Sequence, residues 1–552
     1  MLVDPARERS AQGKIGARLI PSLIDIYAVE APPRVWASVP VDDHDISRGY
    51  KDITYKQFAN AVNHAALWLK DHVPLRAGEP HCTFAYAGSK DLRYPILAVA
   101  AAKVRMRVLL CSPFATTTAQ AHLLREAKCS VYLHDQSVAS VAERVLANAS
   151  GSVAVAKAVP ELQDWLHSGV DAHFPYDYAW EDVNADQWLL FHTSGTTGMP
   201  KLVPYSHYTF SQFDAADLMT DMEPGEETMS DLFRDRRFYV ALPHLHLVGM
   251  MAALQWTVFL NMVLVMGPNT PATGSQVLAV LQNANVQGAV IPPLLIQAVS
   301  DQTGGVDALR KLYALYFAGA PIARHVAVQL NGHCKLVPAA GSTETGAAFI
   351  SVRSGEQDQW EYYRWRDSNG VRFDRKSEQL FELVFYRRPD LERFQQIFRV
   401  YPHLNEYRSG DLWTQHPTRA DLWKYAGRTD DMVIFSHGED LHATGMEQVI
   451  QEHPKIRAAL IGGDGRSRPF LLLDLLPGER DHGEQHQTRL LDEIWPFVEK
   501  ANEKCSDYVK LTRDLVLFTQ AGRPLPLTAK ETVVRRKALE LYQAEIRQLY
   551  GD

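Results

Sequence analysis

Cysteine is scarce in this chain, and the few that occur are scattered. Only five are present, and none of them forms a C-x-x-C pair. This spacing argues against a zinc motif and against a disulfide framework, and it is typical of a protein kept in a reducing compartment. We therefore expect a cytoplasmic location. The cysteines are Cys82, Cys111, Cys129, Cys334 and Cys505.

A secretory signal and a membrane span are also missing. The N-terminus carries Asp4 and Glu8 and has no early apolar run. Residues 238–300 contain no Asp, Glu, Lys or Arg, and residues 247–267 reach the length of a span. Polar residues interrupt that segment, however, and no basic flank anchors it. We therefore expect a buried helix followed by a strand at 261–266, and no membrane partner.

Positive charge is not in excess. The formal net charge is −8 and the pI is about 6.2, which argues against a nucleic-acid surface. Hydrophobic residues make up 46% and charged residues 22% of the chain, as in an ordinary globular protein. Because 552 residues are too many for a single core, we expect roughly two to four lobes.

Apolar segments of strand length alternate with amphipathic segments of helix length, which predicts parallel sheets covered by helices. A pattern rich in predicted β-strands begins near residue 380, and a small α+β unit follows residue 430. We therefore predict an α/β fold with a large N-terminal region (1–429) that includes a β-rich subdomain, and a small mobile α+β C-terminal domain (430–552). The predicted strands are 82–85, 105–111, 129–134, 187–192, 238–242, 289–291, 315–317, 335–339, 381–386, 458–461, 470–475 and 515–518; the predicted helices are 19–29, 55–72, 94–103, 117–127, 488–504 and 533–549; the rest of 1–41 is expected to be a loose leader.

The most informative stretch is residues 191–207, which read F-H-T-S-G-T-T-G-M-P-K-L-V-P-Y-S-H. Its small residues cannot build a core, but its glycines let backbone N–H groups point at an anion. Four hydroxyls and Lys201 lie within nine residues. The spacing is neither that of a P-loop nor that of a nucleophile elbow. The stretch favours a loop that holds nucleotide phosphates, with a flexible linker as the alternative.

Five more motifs follow this loop. The chain reads P-H-L-H-L-V-G at 243–249, G-S-T-E at 341–344, Y-R-S-G-D at 407–411, G-R-T-D-D at 427–431 and P-L-T-A-K at 526–530. Together with the loop they resemble, in order and over nearly the whole chain, the motifs of the adenylate-forming superfamily. That superfamily includes acyl-CoA synthetases, luciferases and the adenylation domains of nonribosomal peptide synthetases. The resemblance implies that a carboxylic acid attacks ATP, with Mg²⁺, to give acyl-AMP and pyrophosphate.

The resemblance also implies catalytic and metal-binding roles. Cations must offset the repulsion between a carboxylate and a phosphate, so Lys201 and Lys530, with His246, are the expected catalytic residues. Glu344 is the expected Mg²⁺ ligand, because magnesium takes few carboxylates besides water and phosphate oxygens. A carboxylate at a helix start is the alternative. Asp430 matches the hinge about which the small domain rotates, or is a plain interdomain turn.

Nucleotide contacts are implied for the glycine-rich and hydroxyl-rich motif residues. Asp411 is expected on the ribose hydroxyls and Arg428 on ribose or phosphate. The alternatives are a turn aspartate and a surface salt bridge. The expected nucleotide-binding residues are Thr193, Ser194, Gly195, Thr196, Thr197, Gly198, Gly319, Ala320, Pro321, Gly341, Ser342, Thr343, Asp411 and Arg428.

The chain departs from the family pattern at two places. The usual T-x-x-G-K ending would put the lysine at Thr532, but here it comes two residues earlier, at Lys530. This T-x-K spacing is similar to that of fungal nonribosomal-peptide-synthetase-like carboxylic acid reductases. Ala340 replaces the aromatic residue that usually stacks on adenine, so the adenine contact or the size of the acid pocket is altered. The basic residues 535–537 are expected to be a solvated helix face.

The acid pocket is expected beside the P-H-L-H-L-V-G motif, at His246, Val248 and Gly249, together with Gly341. Domains that activate amino acids usually place an aspartate after this motif to hold the amine, but apolar residues follow here. An acid without an α-amine is therefore favoured, with aryl acids ahead of fatty or keto acids. The pair His244 and His246 could instead bind a metal, although no further ligand cluster is evident.

A second step is implied, in which the acyl group passes to a phosphopantetheine thiol on a carrier domain and then to a reductase. After Lys530 only the predicted helix follows, without a G-x-D-S carrier site or a G-x-G-x-x-G reductase fingerprint. We therefore expect either an excised adenylation domain or one that works with a separate acceptor. A stand-alone acyl- or aryl-CoA synthetase and a nucleotide-binding pseudoenzyme are the alternatives. The expected partners are a small carboxylic acid and a carrier, not nucleic acid.

Overall fold

The structure is a computed structural model of the whole chain. It describes residues 14–74, 82–149, 155–193, 199–219, 226–318, 322–352, 360–377, 379–429, 432–436, 440–480, 483–503, 505, 509–520, 522–527 and 533–551. The chain divides into two compact units. Unit 1 comprises Met1–Val371 and Phe385–Tyr407, and unit 2 comprises Arg372–Val384 and Arg408–Asp552. The predicted domain boundary at 429/430 stays a prediction.

The described part of unit 1 contains both strands and helices. Its strands are β1 (Val35–Pro40), β2 (Tyr50–Thr54), β3 (Thr83–Ala87), β4 (Arg107–Leu110), β5 (Val131–His134), β6 (Val155–Ala158), β7 (Gln187–Thr193), β8 (Lys201–Ser206), β9 (Glu227–Thr228), β10 (Arg237–Val240), β11 (Val263–Val265), β12 (Gly288–Val290), β13 (Ala314–Ala318), β14 (Lys335–Ala339), β15 (Gly341–Ser342), β16 (Gly346–Ala347), β17 (Ile350–Val352) and β18 (Tyr362–Trp365). Its α-helices are Ile20–Glu30, Tyr55–His72, Arg93–Lys103, Thr117–Glu126, Ala139–Asn148, Leu162–Leu166, Trp180–Val183, Met229–Phe233, Leu247–Met250, Thr257–Leu260, Gly274–Asn283, Pro293–Ser300, Gly305–Arg310, Arg324–Leu330 and Ile397–Val400.

Two largely parallel sheets form the frame of unit 1. One has the strand order β14–β13–β12–β10–β11–β1–β2, and the other has the order β6–β5–β3–β4–β7–β8. Only the last pair of each sheet, β1–β2 and β7–β8, is antiparallel. Parallel strands need crossover connections, and helices supply them here. The carboxyl ends of several strands therefore meet at one edge of each sheet, where ligands bind in open α/β folds.

The main core of unit 1 contains buried side chains from both sheets and from the helices Tyr55–His72 and Arg93–Lys103. The first of these helices begins at a capping box in which Thr54 and Gln57 satisfy each other's backbone N–H groups. Further buried clusters pack other helices against the outer faces of the sheets. The predicted α/β class, with parallel sheets covered by helices, is confirmed.

The charge-free tract forms a buried helix, as predicted. Leu247–Met250 continues through a π-helical segment, Met251–Trp256, into Thr257–Leu260, and β11 follows. Residues 249–260 are all buried, which explains why no charged residue occurs there. Among the described residues, no helix combines the length and the apolar character that crossing a membrane would need. The cytoplasmic location stays a prediction.

The expected loose leader is wrong for residues 35–40, which form β1. This strand pairs antiparallel with β2 and parallel with β11, with Ala37 opposite Leu264. Trp36 is fully buried, its ring stacks on Phe58 and its Nε1–H donates to the Ala253 carbonyl at 2.8 Å. The parallel partner lies more than two hundred residues away in the sequence, so the local pattern alone did not reveal this strand.

Unit 2 holds most of the β-rich part and the small α+β part. A ribbon has the strand order β19–β20–β21–β22, and a separate sheet has β25 antiparallel and β27 parallel to β26. The predicted β-rich part and the predicted small α+β part are therefore both confirmed. The strands are β19 (Val371–Arg375), β20 (Phe381–Tyr386), β21 (Glu406–Gln415), β22 (Leu422–Arg428), β23 (Met432–Ile434), β24 (Asp440–His442), β25 (Ile456–Gly462), β26 (Phe470–Leu475) and β27 (Val516–Phe518), and the helices are Ala443–Ile450, Gly483–Asn502, Arg535–Leu541 and Gln543–Tyr550.

The single helix predicted at 533–549 is wrong, because two short helices are present. The break falls at Tyr542, whose φ and ψ of −108° and 17° are not helical. Tyr542 is 1% exposed, and its hydroxyl accepts the Gln520 N–H at 3.1 Å. Packing of this one side chain against the rest of unit 2 therefore overrides the helical periodicity of the segment.

Candidate active site

The first candidate element is the hairpin of β7 and β8. Thr193 pairs with Lys201, so a half-buried hydroxyl residue and an exposed lysine lie at the base of one turn. β7 is also the last parallel strand of its sheet, and Thr193 is at its carboxyl end. This base has the cation and the hydroxyl that a phosphate loop needs. The predicted loop residues Ser194, Gly195, Thr196, Thr197 and Gly198 lie outside the described residues.

Buried aromatic rings support this hairpin. Tyr205 packs edge-on against Phe191 and Phe210, with ring centroids 5.2 and 6.0 Å apart. All three side chains are at most 1% exposed. The base of the hairpin is therefore held by the core.

The second candidate element is a short antiparallel hairpin of β15 and β16, directly after β14. Gly341 has a φ of +147°, and a Cβ there would lie 2.2 Å from the Gly346 carbonyl oxygen, so glycine is required. The Ser342 N–H donates to Thr345 Oγ1 at 2.9 Å, and the Thr345 N–H donates to Ser342 Oγ at 3.1 Å. The turn presents Thr343 and Glu344, both half-buried. No helix begins at Glu344, so the alternative of a helix-start carboxylate does not hold.

The two hairpins are joined by one hydrogen bond. The Tyr205 hydroxyl donates to the Thr343 carbonyl at 2.7 Å. Burial raises the pKa of Tyr205 and of Tyr401, and the negative charge of Glu344 raises both further. The Glu344 carboxylate therefore lies near two phenols, in an element tied to the strand that begins at Lys201. Sequence reasoning missed Tyr205, although it lies four residues after Lys201 in the same motif stretch.

The adenine side of the predicted site starts where β13 and β14 end. Ala318 pairs with Ala339 at these neighbouring carboxyl ends. Gly319, Ala320 and Pro321 follow β13 and lie outside the described residues. Ala340 follows β14, and its carbonyl accepts the Ala348 N–H at 2.9 Å. The family's aromatic side chain is thus replaced by a methyl group at the start of the β15–β16 hairpin.

The histidine motif forms a tight turn after β10. The His246 N–H donates to the Pro243 carbonyl at 3.1 Å, and the His246 carbonyl accepts the Met250 N–H at 3.0 Å. Gly249 packs against this turn so closely that a Cβ would lie 2.1 Å from the Pro243 oxygen. Val248 is half-buried and the His246 side chain is exposed. The glycine of the motif is therefore explained by packing.

His244 has a different environment from His246. It is 2% exposed, its Nδ1 lies 3.3 Å from the Asp91 carbonyl, and burial lowers its pKa to about 4. A neutral, enclosed ring of this kind serves the packing of the turn. Among the described residues, no group of three or more His, Cys, Asp or Glu could hold a metal ion, so the H-x-H pair has no third ligand there.

In unit 2, Asp411 and Arg428 face each other across β21 and β22. They are register partners, and Arg428 Nη1 lies 3.0 Å from Asp411 Oδ1. Gly410 has a φ of +74°, and a Cβ there would lie 2.9 Å from Arg428 Nη2. The Asp411 N–H donates to Ser409 Oγ at 3.0 Å, which in turn donates to the Leu383 carbonyl at 2.8 Å. The ribbon therefore presents a partly exposed carboxylate beside a guanidinium.

Two predicted residues, Asp430 and Lys530, lie outside the described residues. The prediction for the helix face after Lys530 is wrong at Arg535. This side chain is 15% exposed and Arg535 Nη1 lies 2.6 Å from Glu447 Oε1. Arg536 follows the prediction, since it is 66% exposed and paired within the helix with Glu540. The roles proposed for the motif residues stay predictions.

Family comparison agrees with the motif order. The family described as AMP-binding enzyme matches residues 33–368, and the family described as AMP-binding enzyme C-terminal domain matches residues 430–552. A carboxylic acid reductase of Neurospora crassa is 29% identical over 97% of this chain and 51% of its own length. The adenylate-forming reductase Nps10 of Heterobasidion annosum is 26% identical over 97% of this chain and 50% of its own length. The chain thus spans about half the length of these relatives.

Solved structures share the fold at low sequence identity. An anthranilate CoA ligase, AuaEII, in complex with anthranoyl-AMP has a TM-score of 0.70 and 15% identity, covering 96% of this chain and 98% of that protein. ATP-bound MatB from Rhodopseudomonas palustris has a TM-score of 0.66 and 14% identity, covering 95% and 99%. These similarities establish the fold of adenylate-forming enzymes for this chain.

Proposed function

Because the chain belongs to the AMP-binding enzyme family, a family of adenylate-forming enzymes, we propose that it activates a carboxylic acid with ATP. A carboxylate oxygen of the acid forms a bond to the α-phosphorus of ATP, while the bond from that phosphorus to the pyrophosphate oxygen breaks. The products are acyl-AMP and pyrophosphate. Relatives named carboxylic acid reductase and adenylate-forming reductase support this reaction class.

The observation that carries the proposal is the hydrogen bond from the Tyr205 hydroxyl to the Thr343 carbonyl. It joins the hairpin that contains Thr193 and Lys201 to the hairpin that contains Glu344. Hydroxyls, an ammonium and one half-buried carboxylate are a donor set that suits a triphosphate with Mg²⁺, because magnesium prefers oxygen ligands. We assign phosphate contacts to Thr193, to 194–198 and to Lys201, and the Mg²⁺ contact to Glu344. Bound Mg²⁺ would supply charge neutralisation at the phosphates.

Further nucleotide contacts are assigned by motif. Gly319, Ala320 and Pro321, with Gly341, Ser342 and Thr343, would border adenine. Asp411 would accept hydrogen bonds from the ribose hydroxyls, and Arg428, which already orients Asp411, would contact ribose or phosphate. Lys530 would offset the charge of the attacking carboxylate and the α-phosphate in the transition state.

The acid is proposed to be an aryl acid without an α-amine. The helix that follows His246 is lined by apolar residues, and Met250 and Met251 are buried beside the turn that carries His246. His246, Val248 and Gly249, with Gly341, are the proposed pocket residues. Residues 247–254 carry no carboxylate that could pair with an ammonium group, which would be costly to bury unpaired.

A second step is proposed in which a phosphopantetheine thiol on a carrier attacks the acyl carbonyl and AMP leaves. The resulting thioester would then feed a reductase. The names of the relatives, carboxylic acid reductase and adenylate-forming reductase, support a reduction after adenylation. Rotation about Asp430 would switch the enzyme between the two steps.

ATP–pyrophosphate exchange across benzoic, cinnamic, fatty, α-keto and amino acids tests the first step. One strong response among the aryl acids is the expected result. Exchange only with amino acids would overturn the pocket assignment, and ATP binding without any exchange would favour a nucleotide-binding pseudoenzyme. Acyl transfer from the same acid to free CoA, rather than to a phosphopantetheinylated carrier, would favour a stand-alone CoA synthetase.

The role of Lys530 has its own test. Lys530→Ala should lower the exchange rate roughly 10²- to 10³-fold, as removal of an oxyanion contact does, while ATP binding persists. An exchange rate equal to that of the unmodified chain would refute the assignment.

A further inference from the structure

Unit 2 joins the two ends of the segment that contains Lys530. Leu527 and Val533 form an antiparallel bridge, and the Val534 N–H donates to the Pro526 carbonyl at 2.8 Å. The residues between them, 528–532, lie outside the described residues. The two described ends therefore lie side by side, and the chain between them contains Lys530.

A buried carboxylate holds the N-terminal end of the segment that contains Lys530. Asp474 lies in β26, and its side chain is fully buried. Its Oδ2 accepts the Leu525 N–H at 3.2 Å, and its Oδ1 accepts the Thr519 hydroxyl at 2.8 Å. A single side chain thus fixes both ends of the segment 519–525, which leads from β27 to the lysine segment.

Two arginines complete the surroundings of Asp474. Arg457 Nη1 lies 2.7 Å from Oδ2, and Arg480 Nη2 lies 3.0 Å from Oδ1. Three hydrogen bonds and the nearby Arg480 guanidinium therefore surround the two carboxylate oxygens. Burying such a charge gains little stability over well-packed apolar residues, so stability alone does not account for its presence.

A second buried ion pair holds the C-terminal end of the segment that contains Lys530. Arg535 begins the helix after the lysine segment, and its Nη1 lies 2.6 Å from Glu447 Oε1. The same Glu447 oxygen accepts the Ile461 N–H at 2.6 Å, and Arg535 also donates to the Ile461 carbonyl. The Arg535 side chain is 15% exposed and that of Glu447 is 9% exposed. The C-terminal end of the segment is therefore fixed to β25 and to the helix Ala443–Ile450.

We propose that Asp474 and the Glu447–Arg535 pair are positioning residues for adenylation, which hold the two ends of the Lys530 segment so that the ammonium reaches the reacting atoms. The proposal rests on the proposed role of Lys530. Both carboxylates act through the lysine and touch no substrate. Geometry of this kind matters because a displacement of about 1 Å at a reacting group can cost roughly 10²-fold in rate.

Asp474→Asn, in the full chain, is the first test. The amide keeps the shape but removes the charge that faces two arginines, one hydroxyl and one backbone N–H. The expected result is a kcat for ATP–pyrophosphate exchange lowered roughly 10- to 100-fold, with the KM for ATP and for the acid changed less than about 3-fold. Acyl transfer from supplied acyl-AMP to a phosphopantetheinylated carrier should keep its rate, because no phosphate has to be attacked in that step. An equal loss in both steps would show a merely structural role and overturn the inference.

A double-mutant cycle with Lys530→Ala separates the inference from the proposed function. If Asp474 acts through Lys530, adding Asp474→Asn to Lys530→Ala should lower exchange less than about 3-fold further. Losses that multiply in the double variant would overturn the inference and leave the role of Lys530 standing. If Lys530→Ala alone has no effect, the proposed function of the lysine fails instead.

Arg535 provides a second route if Asp474→Asn does not fold. Arg535→Gln should show the same split between the two steps, and Arg535→Lys should restore part of the exchange rate. Lys500→Gln is the matched control, because Lys500 forms an exposed ion pair with Glu452 in the same unit. It should leave both steps unchanged. Equal rates for Arg535→Gln and the control would overturn the inference.

Discussion

The Tyr205 hydroxyl donates a 2.7 Å hydrogen bond to the Thr343 carbonyl, which lies 138 residues further along the chain. It connects the strand that begins at Lys201 to the turn that carries Glu344. The proposed phosphate and Mg²⁺ contacts are thereby fixed relative to each other before any ligand binds. A bond of this kind adds roughly 0.5–1.5 kcal/mol to stability, but its geometric effect reaches two proposed contacts at once.

Tyr205→Phe should therefore weaken ATP binding. The variant leaves the ring packing intact and removes only the hydrogen bond to the Thr343 carbonyl. The expected rise in the KM for ATP is roughly 5-fold, which corresponds to about 1 kcal/mol of binding. Tyr132→Phe is the matched control, because its buried hydroxyl donates to Gln120 Oε1 at 2.6 Å on β5, a strand of the same sheet that does not adjoin β8. Both variants should lose similar stability in urea, and a similar KM shift in both would contradict the prediction.

Gly249→Ala should disturb the histidine turn. A methyl group there would lie 2.1 Å from the Pro243 carbonyl oxygen, so the turn has to move. We expect the free energy of unfolding to fall by about 1–3 kcal/mol, as for overpacked sites, and kcat/KM for the acid to fall because His246 shifts with the turn. Urea unfolding and exchange kinetics measure the two effects. Gly169→Ala is the control, since nothing lies within 4 Å of its Cβ position. Equal behaviour of the two variants would refute the explanation.

Most of the fold could be predicted because parallel strands buried on both faces appear in the sequence as short apolar runs between helical segments. The bounds of Tyr55–His72, β14 and β26 agree with the sequence pattern. The failures share one cause. β1 is defined by its distant partner β11, and the break at Tyr542 is defined by packing against other elements of unit 2.

The motif residues of the candidate site could be named from the sequence because their chemistry is local. Lys201 and Glu344 stand in recognisable loops. The residues that hold those loops could not be named, because their role depends on a partner far along the chain. Tyr205 is one example, and Asp474, which accepts the Leu525 N–H from 51 residues away, is another.

Asp411→Asn should weaken recognition of the ribose. A charged acceptor of a hydroxyl is worth roughly 1.5–3 kcal/mol, so the KM for ATP should rise roughly 10- to 100-fold. The variant should also lose its preference for ATP over 2′-deoxy-ATP or 3′-deoxy-ATP, because the amide no longer pairs strongly with the hydroxyls. Asp374→Asn is the control, since Asp374 pairs with Arg408 at 2.8 Å in the same ribbon. If the two variants raise the KM equally, Asp411 is only a turn residue.

The last prediction concerns the pH dependence of stability in mildly acid solution, to which the two buried histidines His207 and His244 should contribute. His207 accepts or donates a 3.0 Å hydrogen bond with the Tyr176 hydroxyl and stacks on Trp188. Burial, with the nearby charge of Arg105 as a lesser cause, lowers the pKa of His207 to about 3. Burial also lowers the pKa of His244 to about 4.

A histidine whose pKa is lower in the folded chain is protonated first in the unfolded chain. Its contribution to stability is therefore fully present above about pH 6.5 and is lost as the pH falls toward the folded value. Each histidine should steepen the fall of the unfolding free energy by up to about 1.4 kcal/mol per pH unit in that window.

His207→Gln should remove one such contribution while keeping a partner for Tyr176. The slope of the unfolding free energy between pH 6 and pH 5, measured by urea titration, should drop by roughly 1 kcal/mol per pH unit relative to the unmodified chain. His325→Gln, at an exposed position, should leave the slope unchanged. The readout is the slope, because the substitution also changes packing at every pH. An unchanged slope in His207→Gln would mean that His207 is protonated in the folded chain and that its burial does not hold the ring neutral.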